Sequence, residues 1–169
     1  MGSRDLARAP VQKKGGRARE PPGLRLIRSG MGRGYSAPIA KLIGFKLTKV
    51  GKGSAWIEMD AGPQHANPMG TLHGGVICDI SDAAMGIAYV STLGANESFT
   101  TMELKVNFLR PVWTGHIVAK AKVLRKGRST GLIVCEVIDE KGRLAAFATS
   151  TCMTIAGAGR QGLSREKLD

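Results

Sequence analysis

The stretch from Gly74 to Thr92, GGVICDISDAAMGIAYVST, constrains the fold more than any other part of the chain. It is almost wholly apolar or small, and it is the only segment long enough to read as a sustained helix. A helix that is apolar on nearly every face belongs inside a domain, not on its surface. Ala83, Ala84, Gly86 and Ala88 would let a sheet approach it closely. Two aspartates, Asp79 and Asp82, interrupt the run, and no uninterrupted run of about eighteen apolar residues exists to span a bilayer. The rest of the chain must therefore supply a shell for one buried helix.

The flanking segments read as that shell. Residues 45–50 and 53–60 flank Gly51-Lys52 and suit a hairpin. In the second of them Ala55, Ile57 and Met59 face one way, Trp56 and Glu58 the other. Residues 61–72 hold Gly62, Pro63, Asn67, Pro68 and Gly70 and read as a loop. Four more strands are predicted over 99–110, 115–126, 130–139 and 143–155. In the first, Met102, Leu104, Val106 and Phe108 alternate with Thr101, Glu103, Lys105 and Asn107. A short helix is predicted after Ser36, with Ser36 as its cap, Pro38 in its first turn and Gly44 at its end. The order is short helix, two strands, long helix, four strands. It defines an α+β chain: an antiparallel sheet of about six strands wrapped around one long central helix. Strands and helices do not alternate, which argues against a parallel nucleotide-binding sheet.

The chain carries a net charge of +12 over 169 residues, and the excess is uneven. Residues 1–35 hold nine Lys or Arg against Asp5 and Glu20, so more than half of the excess lies in an N-terminal arm. The arm is rich in Gly, Arg and Pro without an apolar period and reads as disordered or loosely attached. It lacks the apolar core of a secretory signal. Its arginines suit a presequence, an expression remnant or an early start codon, although Pro21-Pro22 opposes an amphipathic helix. No aromatic residues interleave its basic ones, so nucleic acid is not an expected partner. The expected organisation is an arm over 1–35, a folded domain over 36–156 and a frayed tail over 157–169. Cys78, Cys135 and Cys152 are widely spaced in apolar surroundings. They read as reduced thiols of a cytoplasmic protein. His65, His73 and His116 form no ligand spacing with the acids, so no metal site is expected.

Chemistry concentrates where the loop enters the long helix, in Asn67-Pro-Met-Gly-Thr-Leu-His73-Gly74-Gly75-Val-Ile-Cys-Asp79-Ile-Ser-Asp82. The first N–H groups of a helix have no intrahelical partner, and the helix dipole makes that end positive. Gly74 and Gly75 leave those groups unshielded, so a carbonyl oxygen or the oxyanion it becomes can dock there. Read alone, the same glycines also suit a helix end approaching a neighbouring backbone. Asp79 sits where the dipole favours an acid. Asp82 lies two turns in, where it is either a partnered, partly solvated carboxylate or a working one. Eight residues separate Gly74 from Asp82, about 12 Å along a helix at ~1.5 Å per residue. One reacting carbon cannot touch both in one chain. Two antiparallel copies of the helix would bring Gly74 of one to Asp82 of the other, giving a homodimer with shared sites.

The pattern N-x-x-G-x-x-H-G-G with Asp seven residues after the last Gly resembles the hotdog-fold acyl-CoA thioesterases of the phenylacetate-pathway (PaaI-like) type. Asn67, Gly70, His73, Gly74, Gly75 and Asp82 carry it here. Glu103 to Pro111, ELKVNFLRP, is similar to the family's strand after the helix, and the likeness spans about residues 38–155. The resemblance implies hydrolysis of an aryl-, phenylacetyl- or medium-chain acyl-CoA without a cofactor. Gly74 would polarise the thioester carbonyl. Asp82 of the facing subunit would act as base or nucleophile, and Asn67 and His73 would position the carbonyl or water. A strand hydroxyl that assists would be Thr101, or Thr100. Gly75 would line the substrate site, and Arg125, Lys126 and Arg128 around the Gly127 turn would meet the CoA phosphates, unless they form an ordinary solvated turn. The resemblance also implies a tetramer built from two dimers. A subtype with Thr one turn after the acid is not matched, because Gly86 stands there. Two rivals share the fold: a hydratase or dehydratase using His73 with Asp82, and an acyl-CoA sensor. The sensor would need a helix-turn-helix in the arm, and residues 1–35 show no such pattern.

Overall fold

A computed structural model of the chain describes residues 19–32 and 37–157. The parts of the expected arm and tail over 1–18, 33–35 and 158–169, and the expected cap Ser36, lie outside the described residues. Six strands form one antiparallel sheet: β1 (Lys46–Gly51), β2 (Ser54–Ala61), β3 (Glu97–Phe108), β4 (Gly115–Lys126), β5 (Thr130–Asp139) and β6 (Leu144–Ala156). Their order across the sheet is β1-β2-β4-β5-β6-β3, so β1 and β3 are the edges. The fold is the expected α+β one, with the long helix packed on one face of the sheet.

Among the described residues, three α-helices accompany the sheet: α1 (Pro22–Gly32), α2 (Pro38–Ile43) and α3 (Gly74–Val90), with a short 3-10 turn at Pro63–His65. α3 is the predicted central helix. Ile77, Ile80, Ala84, Met85, Ala88 and Tyr89 are buried along it. The sheet meets it with small side chains, among them Ala55, Ala119, Ala121, Ala146 and Ala148, all at most 3% exposed. Alternation in β2 puts Ala55, Ile57 and Met59 inward on one face as expected, and β4 turns Ile117, Ala119 and Ala121 inward in the same way. Close packing of this kind leaves little room for larger side chains.

Tyr89 is the largest side chain of this core. It packs edge-on to Phe99 with ring centroids 5.9 Å apart, and its hydroxyl and that of Thr154 are hydrogen-bonded at 2.7 Å. β5 makes space for it with Gly131, where a Cβ would lie only 2.3 Å from the Tyr89 ring.

Three local features depart from the sequence reading. The hairpin turn falls at Lys52-Gly53, with Gly53 at φ +74°, one residue later than expected. Ala37, without a side-chain cap bond, is the N-cap of α2. Within the arm, residues 22–32 form α1, where no element was expected. Pro22 takes the first helical position, where a missing N–H costs nothing. The Gly23 N–H donates to the Leu93 carbonyl at 3.1 Å, and Leu24 is buried. A Cβ on Gly23 would lie 1.8 Å from the Val90 oxygen, so only glycine permits that approach. Packing against β1 and the end of α3 holds α1, whose apolar residues fall on one helical face.

A bulge in β3 matters most for the site. Thr101 pairs with Cys152 and Glu103 with Thr151, leaving Met102 as the extra residue. A bulge shifts the facing of the strand on one side of it by one residue. Leu104 and Val106 therefore pack against the core, but so do Phe99 and Thr101, while Met102 is 60% exposed. Strict alternation had placed Met102 with Leu104 and Thr101 opposite.

Candidate active site

The loop before α3 is closed by its own polar groups. Asn67 Oδ1 accepts from the Met69 and Thr71 N–H groups at 2.9 and 3.2 Å, and its Nδ2 donates to Thr71 Oγ1 at 2.9 Å. The Asn67 amide thus shapes the loop. Thr71, which sequence reasoning passed over, is its partner. The Asn-x-x-Gly turn signal, with Gly70 at φ +84°, was the clue available for it.

His73 caps α3. Its Nδ1 accepts from the Gly75 N–H at 2.9 Å, and the Val76 N–H donates to the His73 carbonyl at 3.0 Å. An accepting Nδ1 assigns the ring's proton to Nε2, on an exposed side chain. Gly75 is therefore not the open donor of the first turn. Gly74 is: its N–H makes no hydrogen bond among the described residues. Gly74 borders a cleft of roughly 370 Å³ that Asn67, Thr71, Ile77, Phe108 and Val112 also line. The Phe108 ring stands where a Cβ on Gly74 would be, at 3.0 Å.

Asp82 is half-buried two turns along α3. Thr101 Oγ1 donates to its Oδ1 at 3.1 Å, while Oδ2 has no protein partner among the described residues. Thr100 is exposed on the other face of β3. Behind this pair lies Cys152, fully buried, whose thiol is held above its ordinary range by burial, with the charge of Asp82 adding to it and the Ser150 hydroxyl 3.9 Å away opposing it. Asp79 is exposed, as suits a residue near the positive helix end.

The structure does not bring Gly74 and Asp82 together within one chain. They belong to one continuous helix and stand about 12 Å apart along it at ~1.5 Å per residue, and Asp82 does not line the Gly74 cleft. The basic turn after β4 lies beyond Asp82, not beside Gly74, since neighbouring Gly131 packs on Tyr89. Arg125 and Arg128 are exposed there, whereas Lys126 is 3.6 Å from Glu97. Among the described residues no group of three His, Cys, Asp or Glu is placed to hold a metal ion, and no helix is long and apolar enough to cross a membrane.

Known proteins resemble this chain in sequence and in fold. The family model of the thioesterase superfamily matches residues 69–146, which include Gly74, Asp82 and Thr101. A protein of Saccharolobus solfataricus that carries an esterase name is 34% identical over 110 residues, covering 65% of this chain and 78% of that one. The 1,4-dihydroxy-2-naphthoyl-CoA hydrolase of Listeria monocytogenes is 26% identical over 113 residues, covering 67% of this chain and 92% of its own length. A solved structure from Ralstonia eutropha, described as a thioesterase-like phenylacetic acid degradation-related protein, is 32% identical with a TM-score of 0.67, covering 74% of this chain and 97% of that one. The chain belongs to the thioesterase superfamily and is a hotdog-fold thioester hydrolase.

Proposed function

We propose that this chain hydrolyses an acyl-CoA to the free acid and CoA, in sites completed by a second copy. The observation that carries the reading is Asp82: a carboxylate inside an apolar helix, held at Oδ1 by Thr101 and open at Oδ2. The Gly74 N–H of one chain would polarise the thioester carbonyl and hold the oxyanion as it forms. Asp82 of the other would take a proton from the attacking water, or attack the carbonyl carbon itself. In the first route the C–S bond then breaks as the proton held by Asp82 passes to the departing CoA sulfur. In the second, C–S cleavage leaves an acyl-Asp82 anhydride, the CoA sulfur takes its proton from water, and the hydroxide so formed cleaves the anhydride to the free acid. His73 would offer its Nε2 proton to the carbonyl or water, and Asn67 would hold the loop that places Gly74. The proposal assigns no cofactor.

The dimer follows from the separation of Gly74 and Asp82 and from the edge of β3. That edge is 12 residues long with one side unpaired, and exposed Met102 and Phe108 flank it. A long open edge is a template for another strand. Antiparallel pairing of two copies would lay their α3 helices side by side. The basic turn at Arg125, Lys126 and Arg128, which lies beyond Asp82, would then serve the CoA phosphates of the substrate bound at the partner's Gly74. Among acyl groups, an aromatic one is favoured by the Phe108-bordered cleft and by the naphthoyl and phenylacetic chemistry in the relatives' names.

Release of CoA from a panel of aryl- and alkyl-CoA thioesters, with wild type beside Asp82→Asn, tests the reading, and light scattering reports the dimer. Turnover that falls at least ~100-fold in the variant supports it. A folded, dimeric wild type that turns over no substrate overturns it.

A further inference from the structure

We propose that the outer face of the sheet carries a second binding site, a lysine-lined groove around Trp56 that takes a short chain of linked phosphates. The inference is independent of the hydrolase reading, because the groove opens on the face of the sheet turned away from α3.

Strand alternation builds the groove. Ala55, Ile57, Ala119 and Ala121 are buried on the α3 side of the sheet. Ser54 and Trp56 of β2 and Lys120 and Lys122 of β4 therefore point the other way. Trp56 is paired with Lys120, and Ser54 with Lys122, in the β2–β4 register. Glu136 of β5 sits opposite Lys120. Lys52, in the β1–β2 turn, stands at one end. Together these residues line a groove of roughly 440 Å³.

Its charge is unbalanced. Lys52, Lys120 and Lys122 line it against Glu136 alone. A fourth lysine, Lys49, reaches over from β1. Its Nζ lies 3.8 Å from the centre of the Trp56 ring, and Lys120 Nζ lies 4.8 Å from the same point. None of the four lysines has an ion pair among the described residues. The ammoniums of Lys49 and Lys120 are no farther apart than those two distances laid end to end, which is about one Debye length at physiological salt, so mobile ions screen their repulsion incompletely. The ring attracts each cation but carries no net charge to offset them. A bound anion supplies that charge.

The groove also selects the kind of anion. A cleft of this volume suits a small molecule, not a macromolecular surface. Lys49 and Lys120 are the cross-strand partners of Trp56 on its two sides. They leave no open ring face for a base to stack on, as a nucleic-acid platform requires. Ammonium groups bind phosphate as point charges, and several spaced along a groove match phosphates linked in a row. Such a chain is either free polyphosphate or the tail of a nucleotide.

The test uses the full chain carrying Trp113→Phe, which leaves Trp56 as the sole tryptophan. Titration with inorganic tripolyphosphate at about 0.1 M salt should change Trp56 emission saturably, as ammoniums leave the ring for the anion. Lys120→Gln combined with Lys122→Gln should weaken binding at least about tenfold, the scale of a lost hydrogen bond between charged groups. Lys141→Gln removes an exposed lysine at the β5–β6 turn and should leave the affinity unchanged. Calorimetry should show the double variant binding one anion fewer per chain. ATP separates the two sources: affinity equal to that of tripolyphosphate assigns the site to the phosphates alone, and affinity at least about tenfold tighter assigns it to a nucleotide. Absence of a saturable emission change overturns the proposal. So does a double variant of wild-type Tm that binds as tightly as wild type. A Lys141→Gln protein weakened as much as the double variant also overturns it, because the overall charge of +12 would then be the binder. Lys122→Gln alone, at an exposed side chain, gives the same readout if the double variant melts early.

Discussion

Thr101 Oγ1 donates to Asp82 Oδ1 at 3.1 Å from a strand position that strict alternation would turn to the opposite face. The extra residue at Met102 turns it inward. A bulge leaves one ladder position unpaired, and here it yields a hydroxyl aimed at the acid in the central helix. Thr101→Val should therefore lower kcat about tenfold, the scale of a lost hydrogen bond to a charged group, while KM changes little. Thr101→Ser keeps the hydroxyl and should stay close to wild type. Steady-state kinetics on the best substrate of the panel checks both.

Gly74 and Phe108 define a second relationship. The ring lies 3.0–3.5 Å from where a Cβ on Gly74 would be. Gly74→Ala should thus displace the start of α3 from its cleft and cost at least about tenfold in kcat/KM. Adding Phe108→Leu should recover part of that loss if the collision, and not the methyl itself, causes it. A double-mutant cycle measures the coupling.

Gly131 is required by Tyr89. Its Cβ would lie 2.3 Å from a ring that is fully buried between helix and sheet. Gly131→Ala should destabilise the fold by about 2 kcal/mol or more through overpacking. In thermal denaturation this should lower Tm by about 6 °C. Tyr89→Leu in the same chain should make the alanine better tolerated.

His116 carries a pH dependence unrelated to the active site. It is held above its ordinary 6.5, chiefly by its hydrogen bond to Asp60 at 2.9 Å; slight desolvation opposes this and Glu58 adds to it. The folded state then binds the proton more tightly than the unfolded state. The resulting stabilisation is complete below pH 6.5 and is lost as pH rises through the elevated folded value. The pair is solvent-exposed, so its worth is less than about 1 kcal/mol. Asp60→Asn should lower stability in urea melts at pH 6 and leave it unchanged at pH 9.

The central helix was legible because it is long and apolar on nearly every face, and most strands because their inward residues alternate. Gly74–Val90 is apolar all round, and β2 and β4 alternate cleanly between Ala or Ile and polar residues. Gly74 and Asp82 were legible because a glycine helix start and an acid in an apolar helix each stand out locally, whereas His73 came only with the family resemblance and its capping of α3 was not anticipated. The β3 bulge was not legible. Met102 looks like a core residue by spacing, and only its pairing with β6 reveals it as the extra one. α1 was missed because Pro21, Pro22 and Gly23 argue locally against a helix, while its support comes from Leu93, seventy residues away. The use of Asn67 within its own loop, and of the Gly75 N–H by His73, depends on side-chain rotamers that spacing does not encode.

The unbroken helix between Gly74 and Asp82 sets how the enzyme responds to dilution. Rigid turns keep the two residues about 12 Å apart along the axis at ~1.5 Å per residue, so no motion within one chain assembles both halves of the proposed site. Specific activity should hence fall once the protein is diluted below its dimer dissociation constant. Reaction rate would then rise with the square of protein concentration, not in proportion to it. An equimolar mixture of Gly74→Ala and Asp82→Asn, each impaired alone, should rise toward about a quarter of wild-type activity as subunits exchange, because random pairing makes half the pairs mixed and each mixed pair holds one intact site of two.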